Sequence, residues 1–319
     1  MRPLLSMAAA VAALSAPGAA TAAPPLQPLR GGNQAAMSDG ARFVAWGSRS
    51  DDGVHAMHVL DTASGREFDT PAPRIYCRPV GLGAGRLLWQ CGREEPPPSR
   101  DAVRMGDVFV RDLRSGSLIQ GAGTRDVHTR FPEAGELRPL AIGERWIEAA
   151  AIPGVVTRPT QRFFLDWRSG ALRFPTARRD SFDDLDAPGL AVRLCRPLVR
   201  RDHGSYRYQF DAPLGLEAGP VAPLRLTRCG GRPRTLTTLP LLGFTAPRLS
   251  AGLVTWGELR MPGRAVAIAY DARTGRTMRW PIPDQTSSPP LVEHTASTVV
   301  VTVLRNGGAP PRFYRATVR

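Results

Sequence analysis

Residues 269–280 read AYDARTGRTMRW, and the core of that stretch, YDARTG, is one of four related pieces. The others are LDTASG (60–65), RDLRSG (111–116) and LDWRSG (165–170). An apolar run precedes each one (HAMHVL, DVFV, RFFL and AVAIAY), and a strand-like run follows it (REFDT, SLIQ, ALRF and RTMRW). This is the grammar of a β-hairpin. The aspartate ends one strand and bonds to backbone N–H groups two or three residues on. Ser or Thr does likewise, and glycine takes the positive φ that the turn demands. Asp61, Gly65, Asp112, Gly116, Asp166, Gly170, Asp271 and Gly275 are therefore read as turn residues.

A second pattern lies upstream of each hairpin. It reads SDGARFVAWGSR (38–49), GAGRLLWQCGR (83–93), IGERWIEAAA (142–151), APGLAVRLCR (187–196), SAGLVTWGELR (250–260) and TASTVVVTVLR (295–305). A small or turn residue leads into a strand rich in Val, Leu and Trp, with Trp46, Trp89 and Trp256 at a common register. Another apolar strand precedes the turn in most units, as in YCRPVGL and RPLAI. Each unit is thus two hairpins, or four strands, in roughly 45–55 residues, the size of a propeller blade.

Six units are counted, over 33–73, 75–121, 137–175, 183–240, 244–283 and 289–319. The fourth is the least regular, with Thr227 where the others have aspartate and YRYQFDAPLGLEAG inserted ahead of it. The sixth stops one strand short, and LQPLRG (26–31) has no partner of its own. A strand from one chain end that completes the sheet made by the other removes an open edge. The expected fold is all-β: a six-bladed β-propeller of four-stranded antiparallel blades, closed by pairing of the N- and C-terminal strands. Little helix is expected, since 31 prolines interrupt any long 3.6-residue periodicity.

The first residues, MRPLLSMAAAVAALSAPGAATAAPP, have the form of an export signal: Arg2, an apolar run from Leu4 to Leu14, and a small-x-small site at Ala20-Thr21-Ala22. Residues 1–22 are read as cleaved and 23–319 as one propeller domain. No lipid-anchoring cysteine follows the cleavage region, and no later stretch approaches the roughly 20 apolar residues of a membrane helix. The expected location is secreted or extracytoplasmic. The net charge is +14, yet every basic residue is arginine and the arginines are scattered among acidic residues. Nucleic acid needs a clustered stripe that displaces counterions, so it is not an expected partner; acidic cell-surface polymers fit the charge better. Four cysteines in an exported chain point to disulfides. A hairpin turning at Gly83-Ala84-Gly85 sets Cys77 opposite Cys91, which leaves Cys195 with Cys229 by remainder.

With these residues in view, the chain resembles the TolB-like and WD-repeat-like bacterial β-propellers. SDGARFVAWGSRSDDGVHAMHVLDTASG carries the resemblance best: an S-D-G turn, a strand, a polar loop, a second strand and Asp-x-x-Ser-Gly. The usual S-P-D-G appears only as Ser38 to Gly40 without the proline, and no separate N-terminal domain precedes the repeats. The resemblance implies a ring of six or seven blades used most often for protein or glycan contacts. AYDARTGRTMRW also resembles the quinoprotein repeat, but only Trp280 fits its docking tryptophan.

Signatures of known chemistry do not assemble. GLGAGR (81–86) has Arg86 at the third glycine position of a dinucleotide loop. His55 and His58 point to opposite faces of a strand, and His128, His203 and His294 lie in separate units. The acidic run DSFDDLD (180–186) lacks the ligand order of a calcium loop. No catalytic, cofactor-binding or metal-binding residue is assigned, and Glu144, Glu148 and Glu258 are acid–base candidates by type alone. The leading reading is a monomeric, non-catalytic propeller binding a protein or polysaccharide. The alternative is a propeller enzyme (hydrolase, lyase or quinone-dependent oxidoreductase) with its site at one mouth of the channel.

Overall fold

The computed structural model describes residues 23–49, 55–74, 77–91, 107–121, 127, 130–131, 134–153, 161–173, 206–210, 222–228, 233–239, 243–245, 247–250, 252–261, 263–284 and 286–318. Strand β1 (Gln27–Pro28) comes first. Sheet 1 follows with β2 (Met37–Ser38), β3 (Phe43–Arg49), β4 (His55–Asp61) and β5 (Arg66–Pro71). Sheet 2 has β6 (Cys77–Gly83), β7 (Arg86–Cys91), β8 (Val108–Asp112) and β9 (Leu118–Gln120). Sheet 3 has β10 (Ala134–Ile142), β11 (Trp146–Pro153), β12 (Gln161–Asp166) and β13 (Leu172–Arg173). Sheet 4 has β14 (Tyr206–Phe210), β15 (Ala222–Arg228) and β16 (Pro233–Leu239). Sheet 5 has β17 (Arg248–Ser250), β18 (Leu253–Met261), β19 (Arg264–Asp271) and β20 (Thr277–Pro281). Sheet 6 has β21 (Leu291–His294), β22 (Thr298–Val303) and β23 (Arg312–Thr317), with β1 as its outermost strand. Every pairing is antiparallel and, apart from β1 on β23, joins strands consecutive in sequence. Helix among the described residues is limited to a 3₁₀ turn at Asn306–Gly308 and a helical stretch at Val127 and Arg130.

The sheets bury both faces. In β22 every residue of TVVVTV is buried, and the period of two sends alternate side chains opposite ways. Val299, Val301 and Val303 pack with Ala265, Ala267 and Ala269 of sheet 5. Val300 packs with Val44, Trp46 and Leu60 of sheet 1. The other face of β3, Phe43 and Ala45, meets Leu87 and Trp89 of sheet 2. Leu88 turns away from those two, toward Ile147, Ala149 and Phe163 of sheet 3. Leu236 of sheet 4 packs against Val254, Trp256 and Ile268 of sheet 5.

The tryptophan register has a structural cause. Phe43, Arg86 and Leu253 each face the corner aspartate of their own sheet. Three residues on, Trp46, Trp89 and Trp256 all enter the junction with the preceding sheet. Truncating such a buried indole to alanine typically costs about 3–5 kcal/mol. Two of these tryptophans are followed by glycine for lack of room. A Cβ on Gly257 would lie 1.9 Å from the Pro290 carbonyl oxygen, and one on Gly47 2.5 Å from Gln34 Oε1.

The four Asp corners share one geometry. The carbonyls of Asp61, Asp112, Asp166 and Asp271 accept the N–H groups of Gly65, Gly116, Gly170 and Gly275, each at 2.8 Å. Their carboxylates accept N–H groups ahead in the turn, as from Arg114 and Ser115 to Asp112 at 2.9 and 3.0 Å. Gly116 has φ 75° with nothing within 4 Å of a Cβ placed on it, so backbone conformation alone demands glycine there. An arginine reaches each of the four carboxylates: Arg42 on Asp61, Arg145 on Asp166, Arg273 on Asp271 and, at 4.0 Å, Arg86 on Asp112. The hydrogen bond from Arg42 holds the Asp61 carboxyl down to about 2.

GLGAGR is a two-residue hairpin turn, with Gly83 paired to Arg86 and positive φ at Ala84 and Gly85. Cys77 and Cys91 face each other across β6 and β7 and are disulfide-bonded, with Cα atoms 3.9 Å apart. Cys195 and Cys229 lie outside the described residues, as do the DSFDDLD run, His128 and His203.

The N-terminal segment runs across three sheets. Trp280 Nε1 of sheet 5 donates to the Pro24 carbonyl at 2.8 Å, and Leu29 N–H donates to Phe313 O of sheet 6 at 2.9 Å. Trp46 Nε1 of sheet 1 donates to Arg30 O at 3.1 Å. Ala23 and Leu26 pack over the junction of sheets 5 and 6, and Leu29 over that of sheets 6 and 1. A chain beginning at Gly31 is expected to lose about 2–4 kcal/mol of stability relative to one beginning at Ala23. Denaturant titration of the two checks this, and coincident curves would make the segment an ornament. Gly116→Val is expected to destabilise by about 1–3 kcal/mol through φ alone, read as a lowered Tm; an unchanged Tm would refute the turn assignment.

Candidate functional site at the innermost strands

Each sheet begins with a strand that pairs on one side only, and β17, β21, β2, β6 and β10 lie beside one another in that order. The inner ends of sheets 5, 6 and 1 are joined by a polar node centred on His294. Ser250 Oγ of β17 lies 2.6 Å from His294 Nε2, and Thr255 Oγ1 of β18 lies 2.8 Å from Nδ1. The Thr255 hydroxyl also donates to the Val292 carbonyl at 3.3 Å. One consistent assignment places the imidazole proton on Nδ1, donated to Thr255, with Nε2 accepting from Ser250. On the far side Ser38 Oγ of β2 donates to the His294 carbonyl at 2.5 Å and accepts the Gly40 N–H at 2.9 Å.

A serine hydroxyl on an imidazole nitrogen is the pair from which nucleophilic catalysis is built. Here the third member is a threonine, and Ser250, His294 and Thr255 are 1, 2 and 0% exposed. The arrangement fastens sheets together and does not present a nucleophile. His294, isolated in sequence from the other histidines, is a buried junction residue.

Glu293 precedes His294 on β21 and projects to the other face. Its Oε1 lies 3.2 Å from Nε of Arg248 on β17, and the glutamate side chain is 12% exposed against 47% for the arginine. Burial pushes the Glu293 carboxyl up to about 7, outweighing the charge and hydrogen bond of Arg248. Its carboxyl thus stands beside the half-exposed guanidinium of Arg248 with its pKa raised by burial. Nothing in the sequence singled it out, because its character comes from Arg248 and from burial between sheets.

The other candidates are dispersed. Glu148 is buried on β11 of sheet 3. Glu258 is buried on β18, accepting from Trp256 Nε1 at 2.8 Å and Arg260 Nε at 3.1 Å. Glu144 is exposed at the turn before β11. His58 Nδ1 lies 2.6 Å from Asp69 Oδ1 on the outer strands of sheet 1, and Arg30 reaches the same carboxylate at 3.2 Å. The His58 bond, with the charge of Arg30, holds Asp69 below its ordinary value against the pull of burial. Among the described residues no group of three or more His, Cys, Asp or Glu could hold a metal ion.

No protein-family model matches the chain, and no curated protein sequence matches it. Among solved structures it aligns with TolB from Acinetobacter baumannii at a TM-score of 0.37 and 11% identity, over 82% of this chain and 55% of that one. The β-propeller domain of the trilobed protease from Pyrococcus furiosus aligns at 0.35 and 12%, over 89% and 80%. The AtxE2 isopeptidase aligns at 0.41 and 12%, over 88% and 49%. The chain thus spans about half the length of the TolB and isopeptidase chains. TolB and a β-propeller domain are among its structural neighbours, as the resemblance of the repeats leads one to expect.

The raised Glu293 pKa makes stability fall with pH. Between about 4.5 and 7 the folded chain keeps a proton that the unfolded chain has lost, so folding is favoured at the acid end. Glu293→Gln is expected to flatten this window by about 1–3 kcal/mol. Urea titrations at several pH values check it, and parallel pH dependences in the two proteins would refute it.

Proposed function

We propose that the chain is an exported, monomeric β-propeller, residues 23–319 after removal of 1–22, that binds a protein or polysaccharide at the cell envelope or outside the cell without converting it. Its six sheets are the blades of a closed ring. The observation that carries the reading is the burial of successive sheets on both faces. Sheet 4 packs on 5, 5 on 6, 6 on 1, 1 on 2 and 2 on 3. With the last sheet seated on the first, one junction, between sheets 3 and 4, completes the circle. A ligand then finds only the loop ends of the sheets, their outer edges and the innermost strands.

Two further observations support the reading. The Cys77–Cys91 disulfide suits an oxidising compartment. The recurring carboxylates, Asp61, Asp112, Asp166 and Asp271, are engaged by turn N–H groups and by arginine. No helix among the described residues is long and apolar enough to cross a membrane.

The enzyme reading is favoured by one observation, the near-neutral Glu293 beside Arg248 on the innermost strands, the environment of a general acid or base. Glycan arrays and crosslinking with the purified 23–319 chain separate the two. Binding that saturates and returns the ligand unchanged, equally with Glu293→Gln, is expected. Turnover of a retained ligand that Glu293→Gln abolishes would transfer the protein to the enzyme class.

A further inference from the structure

The end of the sheets that carries the Asp corners is uniform in chemistry. Thr62 and Thr295 hydroxyls meet at 3.0 Å between sheets 1 and 6. Gly85 N–H donates to Asp39 at 3.1 Å between sheets 2 and 1, and Arg86 lies over the Trp167 ring at 5.9 Å between sheets 2 and 3. Ser250 and His294, each just before its own first turn, tie sheet 5 to the same end. The corners therefore share one surface. On it Arg114, Arg168 and Arg273 occupy the same place, two residues after the corner aspartate, with their N–H groups fixed to that carboxylate at 2.9, 3.0 and 2.9 Å.

Arg66, Arg114, Arg145, Arg168, Arg273 and Arg276 are all exposed at this end. Arg145 and Arg273 are paired with the corner carboxylates. Among the described residues Arg66, Arg114, Arg168 and Arg276 have no carboxylate partner. Two of these are held in place by rings, Arg168 over Trp167 at 4.8 Å and Arg66 over Phe68 at 5.6 Å. The Asp166, Asp61 and Asp271 carboxylates are turned inward, their side chains 5, 9 and 12% exposed, and that of Asp112 is 27% exposed. Of the exposed acids at this end, Glu67 is paired with Arg315, and Glu144 stands exposed next to Arg145 in sequence, the guanidinium of which is taken by Asp166. What faces solvent is guanidinium interleaved with the exposed hydroxyls of Ser64, Ser115, Ser117, Ser169 and Thr274. That combination grips carboxylates in two-pronged fashion and bonds to neighbouring hydroxyls.

Resting on the binding-propeller reading, we propose that this corner end is the binding face, and that its ligand is an acidic polysaccharide whose carboxylates recur every one or two sugars. The array is sparse. It offers about one free guanidinium per sheet, and packed sheets stand roughly 10 Å apart. Duplex DNA carries a charge about every 1.7 Å of axis and rewards a dense stripe. A chain of uronic acids, with wider charge spacing and many hydroxyls, matches the face better.

The test uses the 23–319 chain, immobilised polygalacturonate, dextran and duplex DNA, at physiological salt. The triple variant Arg114→Ser, Arg168→Ser, Arg276→Ser is compared with Arg264→Ser, Arg279→Ser, Arg305→Ser, which removes equal charge away from the corners. Polygalacturonate affinity is expected to drop about tenfold in the first and less than about twofold in the second. Should the first triple lower Tm, the Arg114→Ser, Arg276→Ser double variant takes its place. Equal losses in both triples, tighter binding to DNA, or no binding of polygalacturonate each overturns the proposal. Binding of dextran alone, unchanged in both triples, overturns it while leaving the binding-propeller reading in place.

Discussion

The structure depends on covering both faces of sheets 5, 6, 1 and 2. A sheet with one wet face alternates apolar and polar residues, whereas β22 is TVVVTV throughout and β18 opens LVTWG. Such strands are stable only between two neighbours. Each of these sheets is therefore committed to the one before it and the one after it, and the side-chain period of two divides the labour. Val44 and Trp46 serve one junction while Phe43 and Ala45 serve the next. A slip of one residue in β3 would exchange the two sets and leave both junctions mismatched.

Apolar packing sets the spacing of the sheets, but polar groups set their angular alignment. Asp39 shows how. Its Oδ1 accepts the N–H groups of Ala41, Arg42 and Phe43, which shapes the first turn of sheet 1. Its Oδ2 reaches across to Gly85 in the first turn of sheet 2. His294 does comparable work between sheets 5 and 6 while its carbonyl receives Ser38 of sheet 1. These groups are almost wholly buried, so each must find its partner at a fixed position. Buried polar bonds of this kind add orientation to what the valines and tryptophans supply as free energy.

Much of the architecture was legible in sequence because its determinants are local. An Asp corner is closed by residues two to four positions apart, so LDTASG and YDARTG announce it unaided. The Trp46, Trp89 and Trp256 register was visible too, although the direction in which those rings point was not. The candidate site was hidden for the converse reason. Ser250 and His294 are separated by 44 residues and Ser38 and His294 by 256, and no local pattern links them. Glu293 likewise looks like an ordinary strand carboxylate until Arg248 and the adjoining sheet surround it. In β10 the strand starts at Ala134, ahead of the unit boundary drawn at 137, with an irregular register between Ala134 and Glu136. Bulges of this sort shift a strand's start without altering the repeat.

The seating of β1 against β23 has a consequence for how the molecule comes into being. Gln27 and Arg315 are bonded neighbours although they stand 288 positions apart. The earliest part of this segment to be synthesised is thus the last to find its place. Until synthesis is all but finished, the Pro24 carbonyl lacks the Trp280 indole that it finally contacts. Contacts of such long range form slowly, so the nascent chain has an interval in which the edge of β23 stands open to wrong partners.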